Sequence, residues 1–579
     1  TLYGLCLRRL GRYDDAITSI RTALQAAPTR AEWWNHLGDI RLDQRQFDEA
    51  IRSYQNALLA VKNTRQANTA AVVYALVRLA DCFARSNMID EAWQFSDQAS
   101  LIAPANIRHR FSDLTLVPII YDNAEQIIQV RQRFSDKLRK LATDIDLSTM
   151  MESSKAAGAI KLPFYLHYQG GPDLPLQRQF GEMIDRIVSA WQPELSVSPP
   201  MPSTQGKIRV GFASYLLNQH TVTKLFKGWI QGLDRRHFEV YAYHLGPVAD
   251  AVTHSIDAMC DDFVHLPGVD AATACRTIRK DELHVLIFPE LGMSTTSMRL
   301  SALRSAPIQC MSWGHPVTSG LSAVDYMLSS DAMEPENGQE HYTEKLVRLP
   351  GLSVAMSRPT VRPSNRTRAD LGWADDDVVF LVPQSLFKLL PTEDQLYTRI
   401  AKQVPNARFA FIHNSSTTVT GLFQRRMYAA FQRAGLDPER HVCLLPGMNW
   451  DDYLKTNALA DVFLDGMTWS GGVTTMEAIA MGLVPVTCPG HNMRARHTAA
   501  ILTELGVTES IAKDHDEYVQ LAVQLGNDPV LRADLRTRLL ANVDHLYDDD
   551  RVIPALEAFL HAAVEGTYQT NPTVSSGAM

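Results

Sequence analysis

The segment Asp465-Gly-Met-Thr-Trp-Ser-Gly-Gly-Val-Thr-Thr-Met-Glu477 concentrates the chemistry of this sequence. A buried strand, Ala460–Leu464, runs into the small residues Ser470, Gly471 and Gly472, and Thr474 and Thr475 open a helix. The first N–H groups of a helix lack intrahelical acceptors, and the positive end of the helix dipole points the same way, so a phosphate can be held there. Glu477, in the first turn, is placed to reach a ribose hydroxyl next to that phosphate. A nucleotide-linked ligand is the chemical reading; a glycine-rich turn that only packs tightly has the same local signature.

Two further residues follow strands and so stand at the same kind of edge. Lys388, in Pro383-Gln-Ser-Leu-Phe-Lys-Leu-Leu-Pro391, comes directly after Val378–Val382. An ammonium there would stabilise a departing diphosphate, a contact of about 3–4 kcal/mol; a solvated surface lysine is the plain alternative. His220, in Ser214-Tyr-Leu-Leu-Asn-Gln-His-Thr-Val-Thr223, follows the strand Lys207–Ala213. An imidazole that titrates near neutrality can take a proton from a hydroxyl nucleophile or donate to a phosphate; it can equally be structural, as His284 at a strand start reads. The acidic runs Asp375–Asp377 and Asp548–Asp550 read as capping or solvated carboxylates rather than as a metal-binding pair.

These residues need scaffolds to position them, and the chain has length for several. Its 579 residues exceed one core and fit three or four domains of ~100–200 residues. With 45% hydrophobic and 21% charged residues it has the composition of a globular protein, and no window of ~20 apolar residues occurs. A net charge of −8 gives no basic field for nucleic acid. Seven scattered cysteines without zinc spacing, and no charged-then-apolar leader, point to a reduced cytoplasmic setting with no metal. The chain begins at Thr1 inside an incomplete repeat, which reads as loss of upstream repeats.

The N-terminal part repeats every 34 residues: Ala16 with Ala50, and Ala23 with Ala57. Trp34, Leu37-Gly38, Phe47 and Tyr54, then Phe83, Ala92 and Ala99, fall at tetratricopeptide packing positions, and Pro28 and Pro104 close second helices. Less regular helical patterns extend from Phe111 to about Val188, and Ser196–Ser203 is a proline-rich linker. Beyond it, strands alternate with helices in two sets: Lys207–Ala213, Phe238–Tyr243, Val285–Phe288, Ile308–Met311 and Asp325–Leu328; then Val378–Val382, Phe409–Ile412, Val442–Leu445, Val462–Leu464 and Val484–Thr487. The fold class is an α-helical tetratricopeptide solenoid followed by two Rossmann-like doubly wound α/β domains facing one cleft. The boundaries are 1–105 for the repeats, 106–204 for a helical linker, 205–356 and 357–565 for the α/β domains, and 566–579 for a flexible tail.

At this point the sequence resembles the tetratricopeptide-linked O-GlcNAc transferases of glycosyltransferase family 41, in a bacterial form. The resemblance rests on the repeats, Lys207–Phe212 into Asn218-Gln-His220, Ala306-Pro-Ile-Gln-Cys-Met-Ser-Trp-Gly-His-Pro-Val-Thr-Ser-Gly320, the Lys388 loop and Leu459 through Thr475. It implies a GT-B fold and inverting, metal-independent transfer of GlcNAc from UDP-GlcNAc to Ser or Thr of proteins chosen by the repeats. It places Lys388 on the diphosphate, Val473, Thr474 and Thr475 at the pyrophosphate next to the Gly471-Gly472 loop read above, Glu477 on the ribose, Tyr453 and Met448 at the uracil, His220 near the sugar, and Trp313, Gly314 and Pro316 on the sugar or acceptor side. No cofactor, nucleic acid or membrane is implied. The animal enzymes carry His-Thr-Thr where this chain has Gly472-Val473-Thr474, so one phosphate-side imidazole is missing and its contact falls to backbone amides or is absent. They carry His-Pro where this chain has His220-Thr221, and an acidic residue near Tyr215 is replaced. Transfer of another hexose, an Asn acceptor, or a UDP-sugar-binding scaffold with little activity are the alternative readings.

Overall fold

The computed structural model describes residues 2–44, 46–62, 68–360, 362 and 364–569. They form two compact units, one of residues 1–121, 125–146 and 154–166, the other of 122–124, 147–153 and 167–579.

In the first unit, small residues let helices pair. Leu2–Arg9 with Tyr13–Ala26, Ala31–Asp43 with Phe47–Lys62, and Thr69–Arg85 with Ile89–Ile102 are successive helix–turn–helix pairs. Ala16, Ala50, Ala57, Ala92 and Ala99 are fully buried, and Ala23 is half-buried. At Gly38 an added Cβ would lie 2.6 Å from the Tyr54 ring, so only glycine fits there. Beneath that contact, buried Asp39 accepts from the Tyr54 and Tyr74 hydroxyls, each at 2.7 Å, and from Arg8 and Arg78 at 3.1 Å. The helix Ala124–Asp144 belongs to this unit from Glu125 onward.

The second unit contains two wholly parallel sheets, whose strands are nearly continuous apolar runs because helices cover both faces. The first takes β1 (Ile208–Ser214), β2 (Phe238–His244), β3 (Asp262–His265), β4 (Val285–Phe288), β5 (Ile308–Ser312), β6 (Tyr326–Ser330) and β7 (Lys345–Leu349) in the order β3-β2-β1-β4-β5-β6-β7. The second takes β8 (Val378–Val382), β9 (Ala407–Ile412), β10 (Val442–Leu445), β11 (Val462–Leu464) and β12 (Val484–Val486) in the order β10-β9-β8-β11-β12. Two strands do not stand out in the sequence. β3 has no buried side chain and β7 exposes Lys345 and Arg348, because both lie at sheet edges.

Strand order reverses between β1 and β4 in one sheet and between β8 and β11 in the other, and open α/β sheets bind ligands beyond the carboxyl ends at such points. The His220 loop leaves β1, the Lys388 loop leaves β8 and the glycine loop leaves β11. Hydrogen bonding of β11 to β8, Val462 opposite Phe380, sets the last two side by side.

Two helices cross the boundaries read from sequence. Leu174–Trp191, within the predicted linker, packs into the first α/β domain: Gln177 donates to the Thr318 carbonyl at 3.1 Å, and Gly181 approaches Gly320 so closely that a Cβ would lie 2.0 Å from its oxygen. Val552–Val564 follows the second sheet in sequence but returns to the first, where Glu557 accepts from the Asp234 amide at 2.7 Å and Phe559 meets Tyr326 with ring centroids 5.2 Å apart. Of the predicted tail, residues 570–579 lie outside the described residues.

Candidate functional site

The glycine loop is held by one buried carboxylate. Asp465, at the end of β11, accepts from the Ser470 hydroxyl at 2.6 Å, the Thr487 hydroxyl at 2.8 Å and the Gly471 amide at 2.8 Å. Thr498 ties the same loop from the following helix, contacting the Thr475 hydroxyl at 2.8 Å and donating to the Gly471 carbonyl at 3.2 Å. The helix Val473–Ala480 therefore begins from a fixed loop, and its first N–H groups face out of it. Thr475 is spent on this internal network and is fully buried, whereas Thr474 is half-exposed. At Gly471 a Cβ would meet the hydroxyls of Thr475 and Thr474 at 2.5 and 2.7 Å and the Gln384 amide nitrogen at 3.1 Å. Those donors converge where only glycine lets them approach.

Gln384 and Lys388 come from the neighbouring loop. Lys388 Nζ donates to Gln384 Oε1 at 3.3 Å, and the Gln384 amide nitrogen, although buried, has no acceptor. Burial pulls the Lys388 ammonium down to about 8, with Asp465 opposing the shift. Aromatic rings make this environment dry: Lys388 Nζ lies 5.4 Å from the Trp469 ring and 6.0 Å from Tyr168, and those two rings are 4.3 Å apart. Among the described residues the Gln384 amide nitrogen has no acceptor, and the ammonium gives one of its three N–H groups to Gln384 Oε1, so together with the helix end they leave donors turned to an anion.

At the other end of the helix's first turns stands Glu477, buried and pushed up to about 7 by desolvation, with Lys224 acting against the shift. Lys224 Nζ is 3.1 Å from Glu477 Oε1 and 3.4 Å from the centre of the Trp450 ring. This ion pair joins the helix Thr221–Gly232 of the first α/β domain to the second. A cavity of about 840 Å³ opens beside it, lined by His220, Lys224, Trp450 and Glu477 among others. Tyr453 is near Glu477 and Asn457, and its ring is tilted by 31° against Trp450 with centroids 5.8 Å apart; Met448 is half-buried against Arg366 and Thr456.

His220 caps the helix Thr221–Gly232, its Nδ1 accepting from the Val222 amide at 3.2 Å. Burial and Lys224 lower its pKa, so the ring is neutral with its proton on Nε2. In that tautomer Nε2 is the donor, and His220 is one of the residues that line the cavity. Trp313 follows β5, donating to the Ser353 hydroxyl at 2.7 Å; Gly314 is half-exposed and Pro316 buried. His284 accepts from the Arg209 amide at 3.0 Å, within the sheet.

The structure thus gathers Lys388, Gly471, Gly472, Val473 and Thr474 at one pole and Glu477, Tyr453 and His220 at the other. Sequence reasoning passed over Gln384, four residues before Lys388 in the loop already singled out, and Lys224, one helical turn after His220. Tyr168 and Trp469 have no local signal, since only the fold brings their rings together. Among the described residues no group of three or more His, Cys, Asp or Glu side chains is placed to hold a metal ion.

A family model described as glycosyl transferase family 41 matches residues 177–354 and 360–547. The chain belongs to glycosyl transferase family 41. A tetratricopeptide-repeat model matches residues 3–71 and 37–99 of this family 41 chain. The probable UDP-N-acetylglucosamine–peptide N-acetylglucosaminyltransferase SPINDLY of Arabidopsis thaliana is 28% identical over 340 residues, 57% of this chain and 36% of that protein. The similarly described SEC of the same plant is 26% identical over 339 residues, 56% of this chain and 34% of that one. The family 41 chain spans about a third of the length of these curated relatives. A Thermobaculum terrenum O-GlcNAc transferase, solved as a point mutant, superposes with a TM-score of 0.68 at 24% identity, covering 94% of this chain and 99% of that one. The two share a fold: helical repeats, then paired parallel-sheet domains of the GT-B type.

Proposed function

We propose that this chain transfers GlcNAc from UDP-GlcNAc to Ser or Thr hydroxyls of proteins, with inversion and without a metal. The observation that carries the reading is the convergence of Lys388, the unpartnered Gln384 amide and the open end of helix Val473–Ala480 on one point, at the switch point of the second sheet. In the displacement, the acceptor oxygen bonds to C1 of the sugar, the bond from C1 to the β-phosphate oxygen breaks, its electron pair leaves on UDP, and the hydroxyl proton passes to solvent water. Charge grows on the diphosphate as that bond breaks, and fixed donors in a dry site stabilise it without reorganising. Glu477 takes the ribose, and Tyr453 and Met448 the base. His220, a donor in its capping tautomer, faces a sugar or phosphate oxygen. The names of the plant relatives support the donor and the peptide acceptor, and the repeats supply an acceptor-binding surface.

The cytoplasm is the proposed location, supported by seven cysteines that are all free thiols; no helix among the described residues is long and apolar enough to cross a membrane. The test is transfer of labelled GlcNAc from UDP-GlcNAc to protein acceptors in EDTA, with UDP-glucose and UDP-galactose in competition. Lys388→Ala is expected to lose transfer roughly 100- to 1000-fold with an unchanged circular dichroism spectrum. Full turnover in that variant removes Lys388 from the reaction, and preference for another hexose replaces GlcNAc as the donor sugar.

A further inference from the structure

Gly472 leaves an opening at the start of the anion-binding helix, and a buried imidazole from another element looks into it. A Cβ built on Gly472 would have as its nearest neighbours His497 Nδ1 at 3.5 Å and the Trp313 ring at 3.7 Å, so the space before Nδ1 is bounded by the helix end and an indole. His497 opens the next helix, His497–Glu504, and only 3% of it is exposed. Among the described residues its Nδ1 makes no hydrogen bond of good geometry, its Nε2 lies 3.3 Å from Met493 Sδ, and the Ser470 carbonyl is a weak acceptor beside the ring. A buried polar nitrogen without a partner costs about 1–3 kcal/mol, and a site that keeps one usually has a use for it.

Resting on the UDP-sugar reading above, we propose that His497 Nδ1–H donates to the β-phosphate of the nucleotide diphosphate, through the space that Gly472 leaves empty. Three observations select that phosphate and that proton. Glu477, the ribose partner, lies further along the helix, so groups gathered at Gly472 meet the end of the diphosphate nearer the sugar. Trp313 stands beside His497, with ring centroids 5.4 Å apart, on the side assigned to the sugar. A thioether is a weak acceptor, so Met493 does not hold the proton on Nε2, and the neutral ring can carry it on Nδ1. Burial and the neighbouring Lys388, opposed by the Ser470 carbonyl, pull His497 down to about 3, so the donor is a neutral imidazole throughout the physiological range. The sequence suggested that replacing a loop histidine by Gly472 removes an imidazole from the phosphate site. The structure supplies one from the following helix instead.

The test is calorimetry of UDP and UMP binding to the wild type, His497→Ala, His497→Leu and the double variant Gly472→His/His497→Ala. His497→Ala and the volume-filling His497→Leu should each weaken UDP roughly 10- to 100-fold, the loss of one donor to a charged acceptor, and leave UMP within about 2-fold. The double variant should recover most of the UDP preference, because a Cβ fits at Gly472 without a clash. Equal weakening of UDP and UMP, or none, in a folded variant of a wild type that binds UDP overturns the role of His497 while the nucleotide reading stands. Absence of UDP binding by the wild type overturns both.

Discussion

UDP-GlcNAc binding to this chain should follow a bell-shaped pH profile whose two limbs belong to named residues on opposite poles of the site. Lys388 must be charged to meet a diphosphate, and burial holds it at about 8. At pH 9 roughly one-tenth of the free protein then carries the ammonium, and affinity should be about 10-fold below its plateau if the neutral amine does not bind. Glu477 is best as an ionised acceptor for a ribose hydroxyl, and its pKa is pushed to about 7. At pH 6 about one-tenth is ionised, and exchanging a charged for a neutral acceptor costs of the order of 1 kcal/mol, or roughly 5-fold. The maximum falls between the two, near neutrality. The donor sugar nucleotide is the probe of choice, because its diphosphate is a diester with no titration of its own in this range, unlike UDP. Calorimetry in buffers of different ionisation enthalpy should show proton uptake on binding at pH 8.5. Lys388→Arg, charged at every pH, should flatten the alkaline limb, and Glu477→Gln the acid limb. Binding that is flat from pH 6 to 9, or limbs that survive these substitutions, would refute the assignment. The same shifts act on stability in opposite directions. Between the ordinary carboxyl value of 4.5 and about 7 the folded chain binds more protons at Glu477 than the unfolded one, so stability falls as pH rises. Between about 8 and the ordinary amine value of 10.5 it binds fewer at Lys388, so stability rises with pH. Each charged form is held in the empty site at a cost that a bound diphosphate or ribose relieves.

Two further outcomes test the scaffold. His220→Asn keeps an N-cap side chain and should melt with the wild type, while His220→Ala should lose about 1 kcal/mol; both should slow transfer, and an Ala variant as stable as the wild type would remove the capping role. Asp39→Ala leaves two arginines and two tyrosine hydroxyls without their shared acceptor and should cost about 3–5 kcal/mol, read as faster amide exchange in Ala31–Asp43 and Thr69–Arg85 while β8 and β11 keep their protection; unchanged exchange in the repeats would show that the network is not stabilising.

The sequence by itself determined what local patterns can carry. The alanine repeat at 34 residues marks helix pairs because small residues recur where helices cross, and fully buried strands such as Val378–Val382 read as apolar runs. The glycine loop before a helix announced an anion site because backbone geometry alone creates it. Edge strands Asp262–His265 and Lys345–Leu349 escaped, since an edge imposes no burial pattern. Only the tertiary structure decided which residues share a point. Gln384, which holds Lys388, and Gly471 meet because β8 pairs with β11, Lys224 reaches Glu477 across 253 residues, and the C-terminal helix returns to the first sheet. His497 stands behind Gly472 for the same reason: side-chain convergence depends on strand order and helix packing, and no spacing within one segment records it.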